Sequence, residues 1–123
     1  MNARIFLNTL FQRFARRERI EASVLIEAIA RAERGLIDAN LGGGIIKQRI
    51  ARRGQGKSGG YRSLVAFYQG ERAFFLYGFA KSGRQNISDK ELETYKDAAS
   101  VLLALSEEQL NTLVREGKLK EIK

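Results

Sequence analysis

The chain has no cysteine, histidine, proline or tryptophan among its 123 residues. Without cysteine there is no disulfide, no thiolate metal site and no sulfur nucleophile. Without histidine the usual zinc sites, the serine-histidine triad and the imidazole acid-base pair of many ribonucleases are excluded as well. Any chemistry must run on Lys, Arg, Tyr, Asp, Glu, Ser or Thr, and neither a metal nor a cofactor is expected. The lack of proline fits turns made by glycine. No window approaches the ~18 apolar residues of a membrane span. Arg4, Arg13, Arg16 and Arg17 break up the region where a signal peptide needs its apolar segment. The expectation is a cytoplasmic protein with no membrane partner.

What the chain does have is positive charge, unevenly placed. Residues 44–84 hold nine cations (Lys47, Arg49, Arg52, Arg53, Lys57, Arg62, Arg72, Lys81 and Arg84) against Glu71 alone, which accounts for the whole net charge of +8. The same stretch contains Gly54, Gly56, Gly59 and Gly60. A cationic excess confined to a third of the sequence reads as a surface for a polyanion, with nucleic acid the first candidate. At 44% hydrophobic and 29% charged residues the composition is that of a globular protein. The length suits one domain, 1–123, that hides roughly two thirds of its unfolded surface.

Hydrophobic periodicity gives the elements. Residues 4–7 read as a first strand, followed by Leu10, Phe11 and Phe14 at helical spacing. Ile20, Val24, Leu25, Ala28, Ile29 and Ala32 form the stripe of a second helix that stops at Gly35. Residues 38–44, with three consecutive glycines, read as a loop, and Ile45, Ile46 and Ile50 as a strand. Residues 61–69 and 72–80, joined through Gln69-Gly70-Glu71, read as an antiparallel hairpin. Ser88 with Glu91, and Ser106 with Gln109, are capping boxes that open two C-terminal helices, the second running to Gly117.

Gly56-Lys57-Ser58 resembles the end of a phosphate-binding loop, but the full signature needs glycine at the position of Ala51, and Gly59-Gly60-Tyr61 leads into a strand rather than a helix. A better reading sets Lys57 and Arg62 on either side of a glycine turn. Lys47 and Arg49 lie on the preceding strand, Arg52 and Arg53 follow it, and Lys81 and Arg84 leave the next one. If those strands are neighbours, the cations converge near one end of a small sheet and form a phosphate-binding surface. Tyr61, Phe67, Tyr68, Phe74, Phe75, Tyr77 and Phe79 are interleaved with them. Most belong to the core, leaving one or two exposed tyrosines to stack on bases.

Gly-Lys-Ser-Gly-Gly-Tyr-Arg at 56–62, Phe-Phe-Leu-Tyr-Gly-Phe-Ala-Lys at 74–81 and Asn86-Ile87-Ser88 before a helix together resemble the RelE/ParE superfamily of toxins, in particular its HigB-type branch. The resemblance implies an α+β fold, a small and mostly antiparallel sheet with helices packed on one face. It implies the toxin of a type II toxin-antitoxin pair, an mRNA endonuclease acting in the ribosomal A site. The implied partners are the ribosome with its messenger and a cognate antitoxin, a small DNA-binding protein encoded beside the toxin. On matching positions Arg62 is similar to the family's phosphate-stabilising arginine, Lys57 to its upstream basic residue, and Lys81 to its strand-ending basic motif. Ser82-Gly83-Arg84 departs from the further basic residues of better-known members, and no tyrosine follows shortly after.

Metal-free RNA cleavage proceeds by attack of a 2′-hydroxyl on its own phosphate. It needs a base, an acid for the leaving 5′-oxygen, and stabilisation of the phosphorane charge. Arg62 suits the last role, because guanidinium stays charged and donates paired hydrogen bonds. Lysine must be neutral to act as a base, far from its usual pKa of about 10.4. Neighbouring arginines lower that value while RNA phosphates raise it. Lys57 and Lys81 therefore read as charge or proton donors, and the base stays open between a lysine and Tyr61 or Tyr77. Two other functions compete: a ParE-like gyrase inhibitor, and a non-catalytic RNA- or ribosome-binding module.

Overall fold

The computed structural model describes residues 3–51, 60–80 and 87–123. Along the chain these form β1 (Arg4–Asn8), α1 (Thr9–Arg17), α2 (Ala22–Glu33), β2 (Ala39–Gly42), β3 (Ile45–Ile50), β4 (Tyr61–Tyr68), β5 (Arg72–Ala80), α3 (Asp89–Leu103), α4 (Glu107–Arg115) and β6 (Leu119–Ile122). The strands make one sheet in the order β2-β3-β4-β5-β1-β6. Every pairing is antiparallel except β1 with β5. The fold is α+β, as the family resemblance implies. The single parallel pair follows from α1 and α2, which carry the chain away from β1 before the β2–β5 meander brings it back.

The N-terminal helices α1 and α2 share one face, in line with the expected α+β arrangement, while the C-terminal α3 and α4 cover the other, so the helices are not all on one face as the resemblance implies. On one side Phe11, Phe14, Leu25, Ala28 and Ile29 of α1 and α2 pack on Ile5, Ile46, Val65 and Phe75. On the other, Ala99 of α3 and Leu110 of α4 pack near Phe6, Ile45, Leu64, Phe74 and Leu76. Strand β4 shows why: its residues from Tyr61 to Ala66 are all buried, so both of its sides need cover. Phe6 stacks on Phe74 on the α3–α4 face (centroids 5.1 Å apart), and Phe11 meets Phe75 on the α1–α2 face (4.8 Å).

The helix boundaries follow the local chemistry. Asn8 caps α1 by accepting the Phe11 N–H at 2.8 Å. Gly35 ends the α2 region at φ +83°. Both capping boxes form, Ser88 with Glu91 and Ser106 with Gln109. Two segments depart from expectation. Residues 39–42, read as loop, form the edge strand β2, which pairs with β3 and turns through Gly43 and Gly44. Gly44 sits at φ +84°, a backbone conformation that favours glycine, and a Cβ there would also meet Leu103 Cδ1 of α3 at 2.8 Å. Beyond Gly117 the chain does not end as helix but returns as β6 beside β1.

One irregularity shapes the site. Along β4–β5, Leu64 pairs with Tyr77 while Val65 pairs with Phe75, so Leu76 is the extra residue of a β-bulge. Phe75 faces α1, and an unbroken strand would turn Tyr77 and Phe79 the same way. The bulge reverses that order. Tyr77 meets Tyr95 of α3, and Gly78 faces Phe11 and Phe14 instead. Asn8 Nδ2 donates to the Leu76 carbonyl at 3.0 Å and so fastens the bulge to the start of α1.

Candidate nucleic-acid interface

Strands β3 and β5 end, and β4 begins, at the same edge of the sheet, because each neighbour runs antiparallel to the next. At that edge Arg49 of β3 is directly opposite Arg62 of β4, and Arg62 is opposite Phe79 of β5. Lys47, two residues back along β3, pairs with Leu64 and so shares their face. Arg62 is buried, with 9% of its surface exposed, whereas the Arg49 side chain keeps 42%. Arg62 Nη1 donates to the carbonyl of Tyr61 at 3.4 Å. On the described strands Lys47, Arg49 and Arg62 thus share the α3–α4 face near one end of the sheet.

Sequence reasoning missed the anion among them. Asp38, at the entry to β2, reaches Arg49 Nε with Oδ1 (2.8 Å) and Arg62 Nε with Oδ2 (3.5 Å). Arg49 Nε is shielded from water and lies close to the carboxylate without hydrogen-bond alignment. Asp38 precedes the basic stretch by six positions and sits in what reads as a glycine loop, so a count of charges along the chain cannot place it there. Gln48 was missed as well. The alternation of β3 directs it beneath α2, where its amide is enclosed.

The aromatic candidates separate. Tyr77 lies on the arginine face, 5.8 Å from Phe79 and 5.7 Å from Tyr95, centroid to centroid. Tyr95 of α3 extends this aromatic row. Tyr61 is on the opposite face: the residue is 3% exposed, Phe14 meets its ring edge-on, and its hydroxyl donates to Glu18 at 2.9 Å. That placement removes Tyr61 from the stacking candidates and puts the sheet between it and the arginine face. Tyr68, the tyrosine with 56% exposure, is at the far end of β4, opposite Arg72.

Lys57, Lys81, Arg52, Arg53 and Arg84 lie outside the described residues. Arg72, counted with the basic stretch, belongs elsewhere. It starts β5 at the far edge, is buried, and bonds the carbonyls of Leu102 and Leu105 and the carboxylate of Glu107. Its charge serves the fold. Among the described residues no group of three or more acidic, histidine or cysteine side chains is placed to hold a metal ion, and no helix is long and apolar enough to cross a membrane.

Residues 3–122 match the family model described as the RelE toxin of the RelE/RelB toxin-antitoxin system. The chain belongs to the RelE toxin family. The match spans every described strand and helix, so the arginine edge, the bulge and the C-terminal helices all lie within the matched residues. Membership implies an antitoxin partner in general terms. No curated protein matches the chain.

Proposed function

We propose that this RelE-family protein is an endoribonuclease that cuts messenger RNA on the ribosome and so inhibits translation. The observation that carries the reading is the cross-strand pair of Arg49 and Arg62, with Lys47 on the same face and Tyr77 beside it. Two guanidinium groups on adjacent rigid strands form a fork for a phosphodiester, the arrangement that electrostatic stabilisation of a phosphorane requires. In the reaction the 2′-oxygen loses its proton and attacks phosphorus. The bond to the 5′-oxygen breaks, and that oxygen takes up a proton, leaving a 2′,3′-cyclic phosphate and a 5′-hydroxyl.

Arg62 donates to the non-bridging oxygens. Lys57 and Lys81 supply charge or the proton for the leaving group, and Arg52, Arg53 and Arg84 extend the grip on the backbone. Tyr77 stacks on a base or, with the lysines, remains a candidate for the proton acceptor. A site of this kind orients its substrate weakly on its own, and the ribosome supplies the positioning that catalysis needs. The motifs at 56–62 and 74–81 resemble the HigB-type branch most, and the antitoxin on this reading is a small DNA-binding protein.

The test adds purified protein to a defined messenger with and without programmed ribosomes and maps the ends for wild type and Arg62→Ala. Cuts found only with ribosomes, and reduced by about 10²–10³ in rate in the variant, are expected. No cuts in either case would move the reading to gyrase inhibition or plain RNA binding.

A further inference from the structure

Arg49 and Arg62 repel each other. They are directly opposed on antiparallel strands, where like charges destabilise, and the Arg62 side chain is 10% exposed, so water does little to screen it. The single carboxylate of Asp38 spans both, with one oxygen near each Nε. Its position is set from the other side of the sheet. The Asp38 main-chain N–H donates to Gln48 Oε1 at 3.2 Å, and Gln48 Nε2 donates to the carbonyls of Ala28 (2.9 Å) and Leu36 (3.1 Å). One fully buried amide therefore joins α2, the segment after it, and the residue that holds the arginines.

We propose that Asp38, fixed by Gln48, is a positioning residue that aims Arg62 and Arg49 at an RNA phosphodiester. What the arginines receive rests on the nuclease reading above; that Asp38 fixes them does not. Asp38 engages the Nε side of each guanidinium. The Nη end, where Arg62 Nη1 gives one hydrogen to the Tyr61 carbonyl and keeps another, is then the edge that bonds a phosphate. Asp38 also subtracts one unit from the local positive charge, so it weakens attraction to RNA while it orders the groups that act on it. Affinity and rate are thereby set against each other.

Asp38→Asn nearly keeps the volume and removes the charge. On a short single-stranded RNA the variant binds more tightly than wild type, with a salt slope steeper by about 0.7. On programmed ribosomes its cleavage rate falls by on the order of 10²-fold, the consequence of misplaced catalytic groups. General destabilisation would weaken both together. Asp38→Glu restores the charge and recovers most of the rate. Nitrogen-15 spectra of the arginine side chains read the positioning directly: the Arg62 and Arg49 Nε–H signals are dispersed and slow to exchange in wild type, and move to the position of free arginine in Asp38→Asn. A variant that cleaves as fast as wild type, or faster, overturns the proposal and makes Asp38 a competitor of the phosphate. Unchanged Nε signals overturn it too. If the wild type cleaves nothing, the nuclease reading fails, and the spectra and RNA affinities still decide on Asp38. If Asp38→Asn does not fold, Arg49→Gln decides: Asp38 then serves Arg62 alone, whose Nε–H stays dispersed, and collapse of that signal refutes the proposal.

Discussion

Helix α3 ends without help from its own sequence. Its last turn has no basic residue, although the carbonyls there carry the negative end of the helix dipole. Arg72 comes from β5 to supply the charge, donating through Nη1 to the carbonyls of Leu105 (2.8 Å) and Leu102 (3.3 Å). Its Nη2 holds Glu107 in the first turn of α4. Glu107 in turn accepts from Arg4 of β1, which also makes two 2.9 Å bonds to Glu121 of β6. A buried arginine thus pins the α3–α4 junction to the middle of the sheet.

Replacing it by methionine keeps most of the stem and removes every donor. Hydrogen bonds to a charged group contribute about 1.5–3 kcal/mol each, and the carbonyls at the junction lose theirs. Glu107 loses less, because its side chain is 63% exposed and retains Arg4. The expected loss is about 3 kcal/mol. That is about a fifth to three fifths of the stability of an ordinary domain, and about 10 °C in melting temperature for a domain of this size. Urea unfolding followed by circular dichroism measures it, with Arg72→Lys as a control that keeps a charge and recovers part of the loss. A loss under about 1 kcal/mol in Arg72→Met would mean that water satisfies those carbonyls equally well, and the argument for a buried pin would fail.

Other outcomes follow from the same contacts. Hydrogen bonds from Arg4 hold the Glu121 carboxyl below its ordinary value of 4.5, against the opposing effect of burial. The stability it contributes is therefore complete above about pH 4.5 and is lost as the pH falls through the lowered value. Melting temperatures between pH 7 and pH 3 should show that decline, and Glu121→Gln should flatten it; an identical profile would exclude the pair as its source. Gly78→Ala places a Cβ 2.5 Å from the Phe14 ring and 2.9 Å from Phe11, inside the core under α1. Overpacking of this kind costs about 1–3 kcal/mol, and a thermal melt unchanged from wild type would show that α1 yields freely.

The elements that were legible in the sequence are those whose own residues decide them. The stripe of α2, the boxes at Ser88 and Ser106 and the hairpin around Gly70 are written in local spacing, and the structure places each within a residue or two. β2 and β6 were not legible, because both are four-residue edge strands whose pairing is decided by a neighbour. Asn40, Gly42, Lys120 and Glu121 are poor strand formers, and only β3 and β1 make strands of them. The bulge was hidden for a different reason. Phe74, Phe75, Leu76 and Tyr77 are all large and apolar enough to face either core, so the reversal between Leu76 and Tyr77 leaves no mark on the pattern.

Net charge misleads in a related way. Counting along the chain assigns nine cations to one surface, but a strand has two ends and a sheet two faces. Arg72 is spent at the far edge on a helix terminus, and Asp38 enters the near edge from outside the basic stretch. What remains on the described part of that face is Lys47 and a pair of arginines that share one carboxylate, rather than a bare patch. A bare patch attracts any polyanion and orders none. A pair held by one carboxylate, itself held by a buried amide, costs some attraction and gains direction. A catalyst gains from the second property, because only interactions aligned with the transition state accelerate a reaction. A nonspecific RNA binder has no use for it. On the nuclease reading proposed above, Asp38 between Arg49 and Arg62 gives this edge the alignment a catalyst uses, and the opposite signs expected for rate and RNA affinity in Asp38→Asn separate that role from simple adhesion to RNA.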